Sequence, residues 1–164
     1  MSPFGHKHED EQGQDKQEQL KQWRAAVEAE FERLNALSLT ELATEVMVKG
    51  FGPGGQDRDD DDITVGQANR GAGPTVTEIS SYVQPERGFE WVPNSQEFEL
   101  VEPTLDRITK LVAEGLQELE HASLVRCQLH TEMGYLDWAV TRRGRAALER
   151  GEVADVLQAA SAQR

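Results

Sequence analysis

The residue groups with chemical potential in this chain mostly lack the context that their chemistry requires. Gly50-x-Gly52-x-x-Gly55 has the spacing of a phosphate-cradling loop, in which glycine lets backbone amides approach an anion. It follows a helix-patterned run rather than a strand, and it leads into Asp57 and Asp59–Asp62, whose carboxylates repel phosphate. No nucleotide site is expected there. Asp57, Asp59 and Asp61 copy the first positions of a calcium loop, but Asp62 stands where that loop needs glycine and Ala68 where it needs a bidentate glutamate. A solvated acidic run is the better account. His6 and His8 sit on a polar N-terminal tail with no third ligand in view. Cys127 alternates with polar neighbours at a strand-like position, and no motif joins it to His121 or His130, so a buried inert thiol is expected. The sequence predicts no catalytic constellation, no metal and no cofactor, hence no enzyme.

Arginine offers a different chemistry. The chain has 30 acids against 17 bases, a net charge of −13. Such a field repels polyphosphate at long range, and counterion-release binding needs clustered bases. Only residues 122–150 are net positive, through Arg126, Arg142, Arg143, Arg145 and Arg150. The first four are the candidate nucleic-acid contact; a solvated helix face is the simpler role for them.

The elements that must position these residues can be read from periodicity. A chain of 164 residues, 37% hydrophobic, suits one domain with a modest core. Its apolar runs are too short for a membrane span, and Met1–Asp10 is too polar for a secretory signal. A single cysteine fits a reducing cytoplasm. Residues 1–15 are expected to be disordered and 161–164 frayed, leaving 16–160 as the domain. Leu20, Trp23, Val27, Phe31 and Leu34 then form a helical stripe. It must dock either on the domain's own core or on a second copy, which makes it the candidate assembly surface of a homodimer.

A capping box at Ser38–Glu41 opens a second helix with Leu39, Leu42, Ala43, Val46 and Met47 on one face, and Gly50 is expected to end it. Residues 50–74 hold seven glycines, two prolines and five aspartates, a composition that cannot build a core, so a flexible loop is expected. Thr75/Glu78 repeats the capping box before a short helix that buries Val76, Ile79 and Val83 and stops before Pro85. Phe89, Trp91 and Phe98 punctuate an ordered connector, a conceivable small-ligand platform. A long helix follows from Pro103 to about His121, burying Leu105, Ile108, Leu111, Val112, Leu116 and Leu119. The period then switches to two: Val125, Cys127 and Leu129 face one way, Thr131–Gly134 is a turn, and Leu136, Trp138 and Val140 return. Thr141 caps a helix that Gly151 closes, and a final short helix carries Val153, Val156 and Leu157.

This order, with Trp138-Ala139-Val140-Thr141-Arg142-Arg143-Gly144-Arg145-Ala146-Ala147-Leu148 at its end, resembles the winged helix-turn-helix domains of bacterial regulators. The likeness covers roughly residues 38–150 and is best over 120–148. It implies an α+β, mostly helical fold: three helices and a two-stranded hairpin, here with an added N-terminal helix and a long acidic loop. The motif has a physical reason, since Thr141 can cap, Gly144 allows close backbone approach and Leu148 returns to the core. The resemblance implies a regulator, and DNA binding through Arg126, Arg142, Arg143 and Arg145 is one form of it. Three features favour protein contacts instead. Pro85–Glu102 separates helices that a tight turn normally joins. The would-be reading helix sets Asp106, Glu114, Glu118 and Glu120 against only Arg107 and Lys110, and the turn carries Glu132.

Overall fold

The computed structural model describes residues 7–52, 74–85, 102–130 and 135–162, with side chains from Asp15 onward and those of His130 and Tyr135 excepted. The expected acidic loop beyond Gly52, the aromatic connector, the turn at 131–134 and Trp91 lie outside the described residues, as does His6; of His8 only the backbone is described. Among the described residues the fold is α+β and mostly helical, with one two-stranded antiparallel sheet. The elements are α1 (Lys7–Asn35), α2 (Leu39–Phe51), α3 (Val76–Val83), α4 (Glu102–His121), β1 (Val125–His130), β2 (Tyr135–Val140), α5 (Arg142–Arg150) and α6 (Val153–Ser161). None of these helices is long and apolar enough to cross a membrane.

At 29 residues α1 is about 43 Å long. It starts at Lys7, inside the stretch whose composition predicts disorder, well ahead of the first stripe position. The stripe docks on the chain's own core: Trp23, Val27, Phe31 and Leu34 are all buried, and Leu20 packs at the edge. Burial stabilises each of these side chains by about 2 kcal/mol, more than any surface ion pair provides. The assembly surface expected at Leu20, Trp23, Val27, Phe31 and Leu34 is therefore an interior face. Helix α4 covers it, and a second copy would find no stripe to meet.

Two capping boxes form as their spacing requires. The Ser38 hydroxyl accepts from the Glu41 amide at 3.3 Å while the Glu41 carboxylate accepts from the Ser38 amide at 2.8 Å. Thr75 and Glu78 repeat this at 3.3 and 2.6 Å. Two details of α2 differ from expectation. Leu39, at its first position, is 47% exposed. Gly50 does not end the helix, which continues to Phe51 and is capped by Gly52. The reason for glycine at 50 lies across the core: a Cβ there would stand 2.9 Å from Ile79 Cγ2, so α3 could not pack so closely. Gly115 plays the same part where α4 crosses α2, with Val46 Cγ2 only 3.1 Å from a notional Cβ.

Helix α4 ends in a Schellman turn. Leu124 N donates to Leu119 O at 2.9 Å and Ser123 N to Glu120 O at 2.8 Å, with Ser123 at φ 60° where glycine is usual. Leu119 and Leu124 complete the motif by burying against one another's side of the core. The same pair of bonds closes α5, from Glu152 N to Ala147 O and from Gly151 N to Leu148 O, with Gly151 at φ 68°.

Strands β1 and β2 pair from Val125↔Val140 through Cys127↔Trp138 to His130↔Tyr135. The apolar face is buried only at its root, by Val125 and Trp138. Towards the far end the cross-strand pair Leu129 and Leu136 is 62% and 53% exposed. On the other face, where alternation predicts exposed polar residues, Asp137 is fully buried.

Candidate functional site

The root of the ribbon is built around one carbonyl. Thr141 N donates to Leu124 O at 3.0 Å, and the Thr141 hydroxyl donates to Ser123 O at 2.7 Å while accepting from Gly144 N at 3.0 Å. A Cβ on Gly144 would fall 2.0 Å from Leu124 O and 3.0 Å from Met47 Cε, so no larger residue fits without moving the backbone. Leu148, one turn on, packs against the core. These contacts fix where α5 begins and which way its first turn faces.

That first turn carries Arg142, Arg143 and Arg145, all exposed, and no acid. Arg142 and Arg145 are three apart and share a flank. Arg126 is also exposed and pairs across the ribbon with Ala139, three residues before Arg142. Strand spacing and chain reach together put the Arg126 and Arg142 Cα atoms within about 16 Å. The structure thus brings the four expected arginines to one end of the fold. With the Gln128 amide oriented so that its oxygen faces the guanidinium, it accepts from Arg126 Nε and Nη2, both at 2.8 Å. None of the four forms an ion pair with a described carboxylate; the neighbouring Arg150 is taken by Glu152 at 2.6 Å.

Two bases on the flank shared by α1 and α2, Arg33 and Lys49, are spent internally. Arg33 makes paired bonds to Glu30, at 2.9 and 2.8 Å, and reaches across to Glu45 on α2, with Nη1 at 2.9 Å. Lys49 adds a contact to Glu45 at 2.6 Å and one to Glu30 at 3.6 Å. The Arg33 hydrogen bonds hold the Glu30 carboxyl below its usual range against partial burial. For Glu45 burial is the largest influence and pushes upward, yet bonds from Arg33 and Lys49 outweigh it and the net direction is down. The Arg33 guanidinium is pushed up by the two carboxylates.

Arg107, one of two bases expected to be available on α4, is engaged as well. Its guanidinium carbon lies 3.6 Å over the Phe31 ring, and its nitrogens sit 3.8 Å from Glu28 and 3.9 Å from Glu32. Thr104, one turn earlier and buried, donates its hydroxyl proton to Glu28. The acids on α4 need one correction: Glu118 faces inward, 5% exposed, accepts from Ser161 on α6 at 3.4 Å and lies 3.9 Å from His121. Asp106, Glu114 and Glu120 are exposed as expected. Glu120 also guards the outer edge of β1, accepting from the Cys127 amide at 3.0 Å.

Cys127 is half-buried, and burial first, then the nearby Glu120 and Asp137 charges, push its thiol up, away from the thiolate that a nucleophile needs. Among the described residues no three His, Cys, Asp or Glu side chains are grouped to hold a metal ion. An open groove of about 600 Å³ runs between α2 and α6, lined by Thr44, Val48, Lys49, Ala154 and Gln158 among others. Sequence reasoning did not anticipate it, because its walls come from segments a hundred residues apart. Comparison of the chain with protein-family models, with curated proteins and with solved structures found no match in any of the three.

Proposed function

We propose that the chain is a non-enzymatic, winged-helix-like regulatory module that acts through protein contacts in a reducing compartment such as the cytoplasm. The order α2, α3, α4, ribbon, α5 supports the fold reading. Pro74 O, which accepts from Trp138 N at 2.9 Å, ties the segment before α3 to the ribbon. The observation that carries the functional reading is the state of α4. Its first turns, which would enter a DNA groove, are held by Glu28, Glu32 and Phe31 of α1. Placing two carboxylates beside the only engaged base of a reading helix opposes phosphate approach.

The test is a gel-shift assay with pooled genomic fragments at low salt, run beside affinity capture from cell lysate. Saturable protein capture without a DNA shift is expected, and a shift at sub-micromolar protein overturns the reading. A DNA-binding regulator is the second reading, favoured by the four exposed arginines. It expects substitution of Arg126, Arg142, Arg143 and Arg145 by Gln to flatten the salt dependence of binding.

A further inference from the structure

We infer that the strip Arg126, Arg142, Arg143 and Arg145 docks an acidic peptide segment of a partner protein. The inference rests on the protein-contact reading and names the partner's chemistry. Three observations carry it. First, the bases at the start of α5 work against local stability. Arg142, Arg143 and Arg145 add positive charge to the positive end of the helix dipole, with no acid in that turn to offset it. Arg142 and Arg145 also repel each other as a like-charged pair three residues apart. Such a placement gains stability only when an anion arrives.

Second, all the charges on this strip are guanidinium groups, which grip carboxylates through two parallel bonds. The chain shows that geometry in Arg33, bonded twice to Glu30. Third, the strip is short and its surroundings are acidic. Glu149 is exposed one turn after Arg145 on α5, Glu152 follows it, and exposed Glu120 bonds the Cys127 amide, next to Arg126. A duplex presents one negative charge about every 1.7 Å and continues past any four-residue footprint. Past the strip it meets the repulsion of those acids and of a chain at −13, a repulsion that salt screens over about 10 Å. A peptide with a few carboxylates ends where the strip ends.

The experiment uses the full chain and fluorescence anisotropy with a labelled Glu-Ser repeat peptide, a labelled Gly-Ser repeat peptide and a short DNA duplex, at low and at physiological salt. The native chain is expected to bind the Glu-Ser peptide, not the Gly-Ser peptide, and to bind it more tightly than the duplex. The triple variant Arg142→Gln, Arg143→Gln, Arg145→Gln is expected to weaken peptide binding at least about tenfold and to flatten its salt dependence. Arg24→Gln, an exposed base on α1, is expected to leave it unchanged. Peptide binding that survives the triple variant overturns the strip while leaving the protein-contact reading standing, and so does a native chain that ignores the Glu-Ser peptide. Tighter duplex binding that the triple variant abolishes overturns both.

Discussion

Arginines at two places in this fold meet opposite fates. On the flank where α1 crosses α2 and α4, Arg33 and Arg107 face Glu28, Glu30, Glu32 and Glu45, and their charge is consumed within the chain. At the start of α5, Arg142, Arg143 and Arg145 face solvent and form no ion pair with a described carboxylate. The first group lies between elements that hydrophobic burial already holds together, so its ion pairs refine a contact that exists without them. The second group is positioned by the backbone of the ribbon root and contributes nothing to that positioning. Counting bases along the chain treats the two alike. Their neighbours separate a structural charge from one available to a partner.

The sharpest way to break the comparison is to move the second group without altering its charge. Gly144→Ala places a methyl group 2.0 Å from Leu124 O, and the start of α5 must shift. A loss of about 3 kcal/mol is expected, read from urea denaturation. An unchanged midpoint would mean that the root is looser than its geometry indicates. A smaller effect is expected from Arg33→Ala, about 1 kcal/mol at neutral pH for two partly exposed carboxylate contacts.

The pH dependence sharpens that second case. Glu30 and Glu45 both have folded pKa values below the ordinary carboxylate range. Their contribution is therefore complete above the unfolded value, near 4.3 for Glu, and is lost as pH falls through the lower folded values. The native chain is expected to lose stability below about pH 4.5 more steeply than Arg33→Ala does, measured by thermal melts across the acid range. Parallel profiles for the two would remove the network from the account. The smallest effect is expected from Arg142→Glu. Reversing a charge at the helix N-terminus stabilises by roughly 0.5 kcal/mol. A destabilised variant would show that Arg142 has a structural duty after all.

Much of the local structure was legible because its signals act within four residues. Ser38 with Glu41, Thr75 with Glu78, Thr141 with Gly144 and the closing Gly151 are hydrogen-bonding arrangements whose partners are near neighbours in sequence. The switch from helical to alternating periodicity at Val125 located the ribbon for the same reason. What escaped depends on elements far away in the chain. Gly50 looks like a terminator until Ile79 arrives beside it. Glu118 occupies a polar-looking position on α4, yet α6 folds over it. Leu129 and Leu136 lie on the apolar face of a ribbon that extends beyond what its root covers. Arg107 was counted as available because nothing in its own helix reveals that Glu28 and Glu32 stand opposite. The four arginines were legible as a group, since the ribbon register and the helix start are both local, but that no described carboxylate pairs with them was not.

The Leu124 carbonyl has a consequence for how chains of this kind can vary in length. Thr141 N donates to it, the Thr141 hydroxyl is held beside it by Ser123 O, and Gly144 exists to clear it, so the ribbon has a fixed zero point at its root. A residue gained or lost within either strand would rotate every later side chain to the opposite face and strand Trp138 in water. Length can change harmlessly only between His130 and Tyr135, at the end remote from that anchor. Evolutionary lengthening or an engineered tag is therefore tolerated at the tip and penalised everywhere else along the ribbon.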